Sequence, residues 1–205
     1  MVSESNAEQP KVDLSKTDLP LETKIRHKIT WFRAPLATLA TIALLYYIRD
    51  LNAFWRGMPI AVFGEMIQLW SSSQIQKEKH LTISGPYSHV RNPMYLGRFF
   101  LILGFVVMTN IPWLIALYIV AFAIYAHRRV GREEPKLLSI FAEDYAHYCN
   151  ETRRWLPSLK RYSRSENQRS SWARACGNGE QLNFYGMIVV LFITYARIVY
   201  LKNWH

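Results

Sequence analysis

The sequence predicts an all-α integral membrane protein with about five transmembrane helices, one pair of which forms a helical hairpin. Hydrophobic residues make up 50% of the 205 residues and concentrate in long segments without formal charge. The 25 Lys+Arg exceed the 15 Asp+Glu and give a net charge of +10, and these basic residues fall mainly between the apolar segments. The apolar content and 14% aromatic residues exclude a chain that is disordered throughout.

The N-terminal part contains a tail and two predicted spans. Residues 1–24 are polar and mixed in charge, which predicts a cytosolic tail without a secretory signal. Within residues 25–76, the uncharged run 34–48 approaches the thickness of a bilayer's hydrocarbon core and predicts the first transmembrane helix. The run 57–76 is weaker because it contains Glu65. It predicts a second span that faces other helices, with an interfacial helix as the alternative.

The longest uncharged run, residues 99–126, exceeds the length that one span requires. Asn110-Ile111-Pro112 interrupts it, and a proline ends or kinks a helix at the preceding residue. The pattern predicts a membrane hairpin over residues 93–128, with one long kinked helix as the alternative. A basic cytosolic linker follows at residues 161–180, and residues 181–205 predict the last transmembrane helix. Arg197 in that helix lies near enough to its end to reach the interface.

The distribution of Lys and Arg predicts the orientation. The predicted outside turns hold little more than Arg49, Arg56 and Lys202, whereas the inside segments hold most of the other basic residues. By the positive-inside rule, the N-terminus and the active site face the cytosol. This asymmetry explains the net charge without nucleic acid as a partner. The two cysteines, Cys149 and Cys176, have no metal-ligand spacing, and no metal site is expected.

The predicted core, residues 77–160, contains two cytosolic segments with chemically capable side chains. In the first, Gly85-Pro86 indicates a turn and Pro93 the start of a helix. Backbone groups left free in such a turn can bind the edge of a flat heterocycle. Nearby donors and aromatic faces are supplied by Tyr87, Arg91, Asn92 and Tyr95. The alternative is a loop with interfacial tyrosines and a phosphate-binding arginine.

The second segment follows the hairpin. Pro135 predicts the first turn of a new helix, with Glu133 and Glu134 at its start. Arg129 and Glu134 form either a structural ion pair or a site for a ligand that carries both an ammonium and a carboxylate. An apolar stripe at helical spacing predicts packing rather than chemistry, and consists of Leu137, Leu138, Phe141, Tyr145 and Tyr148.

In their order along residues 74–158, these pieces resemble the isoprenylcysteine carboxyl methyltransferase family and its bacterial relatives, within a wider group that includes phospholipid methyltransferases. The shared motifs are Leu81, Gly85-Pro86-Tyr87, Arg91-Asn92-Pro93-Met94-Tyr95-Leu96-Gly97, Glu133-Glu134-Pro135-Lys136-Leu137, Phe141, Tyr145, Tyr148 and Arg154-Trp155-Leu156-Pro157. Two residues depart from the pattern. Asn92 replaces a common His and cannot titrate, and Ala142 replaces the usual Gly, where we expect an effect on a turn or helix contact.

The resemblance implies a methyltransferase that binds S-adenosylmethionine at the cytosolic face and takes a lipophilic or prenylated acceptor from the bilayer. It implies that Glu134, with Glu133 beside it, meets the cofactor's ammonium or a group that orients it. It also implies that Arg129 contacts the acceptor and that Arg91 holds the cofactor's carboxylate or the acceptor's anion. The implied cofactor contacts, mainly through backbone for the first five, are Lys79, His80, Leu81, Thr82, Ile83, Tyr87, Asn92, Pro93, Met94, Tyr95, Glu133 and Glu134.

The chemistry suits a sparse site. A carboxylate acceptor is already ionised at pH 7, so the protein has to align the reactants and exclude water rather than remove a proton. An amine acceptor would need a base, for which the candidates are His80, His89, His127, Glu133 and Glu134. Alternatives are a phospholipid or amine N-methyltransferase on the same scaffold, an NADPH-dependent sterol-type reductase, and a non-catalytic membrane adaptor.

Overall fold

The computed structural model describes Leu39, residues 41–75 and residues 80–203. The chain divides into two units, Met1–Ile42 and Ala43–His205. In the first unit the three described residues are helical. The predictions for the N-terminal tail, for residues 34–38 and 40 of the first transmembrane helix and for Lys79 concern residues outside the described part. Within that part, regular structure is helical and no strand occurs.

Two helices precede the predicted core. Residues 41–47 are helical (α1), and α2 spans Leu51–Ser72. Asp50 caps α2, because its side chain accepts a hydrogen bond of 2.9 Å from the Asn52 amide. The cap explains why α2 begins before the predicted run 57–76. Glu65 is buried on this helix, consistent with the expectation that the polar face of α2 packs against other parts of the chain.

Helix α3, Pro93–Met108, packs against α2 with the two backbones in direct contact. A Cβ atom added to Gly64 would lie 2.1 Å from the Leu101 nitrogen, and one added to Gly104 would lie 2.4 Å from the Ala61 nitrogen. The contact is lined by four glycines, Gly57, Gly64, Gly97 and Gly104. Small residues allow this approach, as in tightly packed membrane helices. This pairing was not predicted from the sequence.

Helix α4, Pro112–Glu151, runs back along α3, and aromatic rings join the two: Phe99 stacks on Tyr118 with centroids 5.7 Å apart. Between the helices, Asn110 adopts a φ of 57°, a left-handed conformation that asparagine tolerates. The chain therefore forms a hairpin rather than one kinked helix.

The prediction that Pro135 begins a new helix is wrong. Pro135 lies inside α4, and the break occurs at Ala142, with φ 41° and ψ −114°. Proline removes the hydrogen bond to the carbonyl of Gly131, but both residues are exposed, so water can satisfy that carbonyl. The break at Ala142 falls at the position where the resembled family usually carries glycine. Glycine is the residue that tolerates a positive φ.

A short helix and a long one lead to the end of the chain. Helix α5 spans Trp172–Gly177 and α6 spans Glu180–Asn203. Arg197 donates hydrogen bonds to the carbonyls of Leu45 (2.6 Å), Tyr46 (2.8 Å) and Ile48 (3.3 Å). It therefore caps the end of α1. That Arg197 also reaches the membrane interface stays a prediction.

The apolar helices of the described part are suited to a membrane by their length and composition. Among the described residues, α4 and α6 are long and apolar enough to cross a bilayer, and α3 is apolar but shorter. Helix α2 is not apolar enough to be a spanning candidate, because polar side chains occupy its second half. These are Glu65, Gln68, Ser71 and Ser72. The described residues thus present two spanning candidates where the sequence predicts about five spans. Residues 34–38 and 40 of the first predicted span lie outside the described part.

Candidate active site

The first motif segment forms a tight 3-10 turn over Gly85–Ser88. Gly85 has a φ of 56°, and a Cβ atom there would lie 2.8 Å from Cγ of Gln74, so both conformation and space require glycine. The Ser88 hydroxyl closes the turn with a 2.7 Å hydrogen bond to the Gly85 carbonyl. The turn holds residues 89–92 in a fixed direction at the entrance to α3.

The closing segment after α4 lies alongside this turn. Three backbone hydrogen bonds join the two segments, from the amides of Arg91 to Arg153 (2.9 Å), Ser158 to His89 (2.9 Å) and Tyr162 to Ser88 (2.8 Å). Asn92 adds a side-chain bond of 3.2 Å from Nδ2 to the Arg154 carbonyl. Asn92 is thus a structural hydrogen-bond donor in this conformation. This role requires only an N–H group, so it does not matter that asparagine cannot titrate.

The part of α4 beyond the Ala142 bend packs beneath the turn. The tyrosines Tyr145, Tyr148 and Tyr162 form a buried cluster, with Leu81, Ile83, Leu137, Phe141 and Cys149 against it. Tyr148 donates a 2.6 Å hydrogen bond to the Tyr87 carbonyl. Burial raises the pKa of Tyr145 and of Tyr148 well above the ordinary value, so both hydroxyls stay protonated. The prediction that this stripe is packing is confirmed, except at Leu138, which is exposed.

Glu134 lies in a half-buried cluster with two arginines. Arg154 Nε donates to Oε1 of Glu134 at 3.0 Å, and a second guanidinium nitrogen of Arg154 contacts Oε2. Arg91 approaches Oε1 from the other side at 3.5 Å. The side chains of Arg91 and Glu134 are each only 15% exposed. Arg91 Nε is buried and has no hydrogen-bond partner among the described atoms.

Glu133 belongs to a second, more exposed cluster. The Tyr95 hydroxyl lies 3.0 Å from each Glu133 carboxylate oxygen. Arg129 Nε lies 2.7 Å from Oε1, with 50% of the Arg129 side chain and 39% of the Glu133 side chain exposed. The hydrogen bond with Tyr95, followed by the charge of Glu133, raises the pKa of Arg129. The Glu133 cluster is accessible to solvent.

These partners correct one expectation. The structural ion pair considered between Arg129 and Glu134 does not form, because Arg129 pairs with Glu133 and Glu134 with Arg91 and Arg154. Residues four apart lie on one face of a helix, whereas residues five apart diverge. Arg154 is a site residue that the sequence analysis did not select. Its only signal is its place in the Arg154-Trp155-Leu156-Pro157 motif.

The residues expected to contact a cofactor through backbone precede the turn. His80 is exposed, while Leu81 and Ile83 place their side chains on the tyrosine cluster. Leu81, Thr82 and Ile83 form no backbone–backbone hydrogen bond with another described residue, which leaves these polar groups available. Pro93 is buried at the first position of α3, and Met94 follows it half-buried.

An apolar cavity of about 580 Å³ lies on the α2 side of the turn, and a second of about 560 Å³ lies on the hairpin. Two of the residues that line the hairpin cavity are linked to the charged clusters: Trp155 follows Arg154 in sequence, and Phe122 contacts the ring of Tyr125, which contacts that of Tyr95. Its lining also includes Phe99, Ile119, Ala123, Ala126, His127 and Arg128. The site thus combines anion-binding and carboxylate groups with an apolar surface.

Comparisons with known proteins were made on the whole chain. The family model described as phospholipid methyltransferase matches residues 53–144. The cobalt-zinc-cadmium resistance protein CzcN of Cupriavidus metallidurans is 33% identical over 149 residues, which cover 67% of either chain. The nickel-cobalt-cadmium resistance protein NccN of Alcaligenes xylosoxydans xylosoxydans is 31% identical over 139 residues, 67% of this chain and 56% of the relative.

The protein-S-isoprenylcysteine O-methyltransferase of Xenopus laevis is 30% identical over 116 residues, which are 51% of this chain and 40% of that protein. The chain therefore spans two thirds of the first relative's length and less of the other two. No solved structure matches. Glu133 and Glu134 lie within the residues matched by the family model, and Arg154 lies beyond them.

Proposed function

The chain belongs to the phospholipid methyltransferase family of membrane methyltransferases, and on that premise we propose that it transfers a methyl group from S-adenosylmethionine to a lipophilic carboxylate. In this proposal the reaction is of the kind named for its relative, a protein-S-isoprenylcysteine O-methyltransferase. The observation that carries the proposal is the buried, unpartnered Arg91 Nε beside Glu134. A desolvated guanidinium donor without a partner is suited to bind a carboxylate.

The residues at the site fit S-adenosylmethionine. Arg91 offers its free donor to the cofactor's carboxylate, and Glu133 is accessible to its ammonium. Glu134 has both oxygens engaged by arginines, so we assign it the positioning of Arg91 and Arg154 in place of direct contact with the ammonium. The free backbone groups of residues 81–83 are available to the adenine edge, near Tyr87. When bound, the cofactor supplies an electrophilic methyl group on a sulfonium.

The acceptor's charged end and its apolar chain are assigned to different parts of the site. Arg129 is half exposed and follows Arg128, which lines the hairpin cavity, and its guanidinium would hold the acceptor carboxylate. The apolar lining would accept a hydrocarbon chain that enters from the bilayer. Such a carboxylate is ionised at pH 7 and requires no base. The protein's contribution is alignment and the exclusion of water. We place this site and the N-terminus on the cytosolic side, because most Lys and Arg residues flank it.

A second candidate is transfer to the nitrogen of an amine-bearing lipid. The description of the matched family model, phospholipid methyltransferase, favours it. The two reactions differ in pH dependence. An amine must lose a proton before it attacks, so its rate rises with pH toward the amine pKa, whereas the rate with a carboxylate is flat near neutrality.

The first experiment measures cofactor binding by purified protein in lipid nanodiscs, with S-adenosylmethionine compared with NADPH. We expect saturable binding of S-adenosylmethionine that is weakened at least about tenfold in Arg91→Ala, through loss of a charged hydrogen bond. Asp144→Asn, which changes an exposed carboxylate away from the site, is the control. Binding of NADPH instead would support a sterol-type reductase, and binding of neither would support a membrane adaptor. Radiolabelled methyl transfer to S-prenyl-cysteine and to an amine lipid then separates the two candidates.

A further inference from the structure

A third cavity lies at the end of α2 that is remote from the turn of the candidate active site. Its volume is about 580 Å³. It is lined by the end of α1, the start of α2 and the last two turns of α6, through Tyr46, Arg49, Asp50, Leu51, Asn52, Arg197, Ile198, Leu201 and Lys202. None of these residues belongs to the candidate active site.

The length of a membrane-spanning helix separates this cavity from the turn. Asn178, two residues before α6, donates a 2.9 Å hydrogen bond to the carbonyl of Ser72, the last residue of α2. Gln74 follows, and it accepts a 2.9 Å hydrogen bond from Ser84, the residue before the turn. From there the 24 residues of α6 extend about 36 Å to the cavity. A helix that crosses the bilayer over this length would put the cavity and the turn at opposite membrane faces.

The cavity carries an excess of positive charge. In the described part of the chain, no carboxylate oxygen lies within 4.0 Å of a nitrogen of Arg49, Arg197 or Lys202. Asp50 does not compensate them, because its Oδ1 caps α2 and its Oδ2 lies 3.9 Å from Arg56, outside the lining. The basic residues of the predicted outside turns, Arg49, Arg56 and Lys202, therefore gather at this one place.

Tyr46 and the end of α1 position the two arginines of the cavity. The guanidinium carbons of Arg49 and Arg197 lie over the Tyr46 ring, 4.8 and 5.4 Å from its centroid. The hydrogen bonds of Arg197 to the carbonyls at the end of α1 use its two terminal nitrogens. Its Nε makes no hydrogen bond with another described residue. A guanidinium fixed in this way loses little conformational entropy when it binds an anion.

Exposed aromatic side chains are concentrated at the same end of the molecule. Tyr46, Tyr47, Trp55 and Tyr200 are each between 51% and 60% exposed. Tyrosine and tryptophan are enriched where hydrocarbon meets water, at the level of the lipid head groups. These side chains indicate that the cavity lies at head-group level rather than deep in the hydrocarbon or far out in water.

We propose that the cavity binds a phosphate group through Arg49, Arg197 and Lys202. Guanidinium groups present donors in a planar fork that fits phosphate oxygens, and an ammonium adds a compact positive charge. Two sources offer this chemistry at a membrane surface, the head group of an anionic phospholipid and a soluble phosphate. Leu51 and Leu201 in the lining suit the first carbons of acyl chains. The proposal does not depend on methyl transfer or on the methyl acceptor.

The test is thermal unfolding of the full chain in a non-ionic detergent and phosphate-free buffer. Short-chain phosphatidylglycerol, sodium phosphate and dodecanoate are titrated at matched ionic strength, and dodecanoate serves as an anionic amphiphile without phosphate. We expect phosphatidylglycerol to raise Tm saturably, by about 3 °C. Native mass spectrometry should show one retained phosphatidylglycerol per chain.

The paired substitution Arg49→Gln and Lys202→Gln removes two exposed cations from the cavity and leaves the cap of α1 intact. We expect the phosphatidylglycerol concentration at half of the maximal Tm rise to increase at least about tenfold, through loss of charged hydrogen bonds. The matched control is Arg132→Gln with Arg164→Gln, which removes the same charge from exposed residues outside the cavity. It should respond as the unsubstituted protein does.

The possible outcomes separate the sources and the contrary cases. A response to phosphatidylglycerol without one to sodium phosphate assigns the site to a lipid head group, and equal half-maximal concentrations assign it to soluble phosphate. An equal response to dodecanoate would overturn the proposal, because phosphate would then not be the recognised group. An unchanged response in the cavity variant, an equal loss in the control variant, or no response to either phosphate compound would also overturn it.

Discussion

Glu133 and Glu134 are neighbours in the chain, yet they occupy different environments. Glu134 is 15% exposed and engages two arginines that come from the turn before α3 and the segment after α4. Glu133 is 39% exposed and engages Tyr95 and an arginine of its own helix, Arg129. The two carboxylates point in different directions because successive residues of a helix are rotated by about 100°.

The difference assigns separate roles to the two clusters. One holds chain segments together, and the other can exchange contacts with a ligand. The Glu134 cluster joins three separate segments, and opening it would leave buried charge without a partner, which is strongly unfavourable. The Glu133 cluster joins exposed side chains whose interaction with one another is weak and screened by salt. A ligand can therefore replace a contact in the Glu133 cluster at little free-energy cost, whereas the Glu134 cluster must stay closed.

The largest effect is expected from Glu134→Gln. The neutral amide cannot compensate the positive charges of Arg91 and Arg154. We therefore expect a loss of about 2 kcal/mol in the free energy of unfolding and roughly a 100-fold loss in the rate of methyl transfer. Denaturant titration and a radiolabel assay in nanodiscs measure the two. Glu133→Gln is the matched control, with a change in stability below about 0.5 kcal/mol. Equal destabilisation by both substitutions would remove the distinction drawn between them.

Arg129→Ala tests the exposed cluster. We expect stability to change by less than about 0.5 kcal/mol, because the pair is half exposed. The kcat/KM for a carboxylate acceptor is expected to fall by about 10- to 100-fold, the value of one charged hydrogen bond. Arg132→Ala, on the same helix and exposed, should leave both quantities unchanged. An intact kcat/KM in Arg129→Ala would exclude that residue from acceptor binding.

Ala142→Gly addresses the bend that places Tyr145 and Tyr148 beneath the Glu134 cluster. Glycine should stabilise the protein by about 1 kcal/mol, since alanine is strained at a φ of 41°. Ala146→Gly is the matched control on the helix beyond the bend, where glycine should destabilise by about 1 kcal/mol. Chemical denaturation compares the two, and a loss of stability in Ala142→Gly would contradict the bend.

The smallest effect concerns Glu151, an exposed carboxylate at the end of α4. Hydrogen bonds from the amide and hydroxyl of Ser163 hold its pKa below the ordinary value. A group with a lowered folded pKa stabilises the protein above its unfolded pKa, and this contribution disappears as pH falls through the folded pKa. Glu151→Gln should therefore flatten the stability curve below about pH 5, near the unfolded glutamate pKa. An unchanged curve would contradict the shift.

Much of the fold could be predicted from the sequence wherever a single physical signal, such as a long uncharged run, was decisive. The hairpin followed from a long uncharged run with Asn110-Ile111-Pro112 in its middle, and α6 from a second apolar run. The Pro135 prediction failed because helix breaking depends on whether the freed carbonyl reaches water, which the sequence does not state. The glycine contact of α2 with α3 was missed because glycine spacing alone does not identify the partner helix.

The candidate site was predictable in its residue types and less so in its pairings. The motifs selected Arg91, Glu134, Arg129 and Tyr95, and the structure brings these into two neighbouring clusters. Arg154 could not be chosen, because its approach to Glu134 depends on the backbone bonds that lay residues 153–162 beside the turn. Which glutamate is buried is likewise decided by the rotation of α4 and the closing segment, not by local composition.

The backbone contact between α2 and α3 has a consequence for mutational tolerance. At Gly64 and Gly104 an added methyl group would overlap main-chain atoms, so no side chain can move aside to accommodate it. The outward face of α6, with Leu182, Phe192 and Ile193 exposed, has no such constraint. Saturation mutagenesis of this chain should therefore show a few positions where alanine is as harmful as tryptophan, next to long stretches where any hydrophobic residue serves.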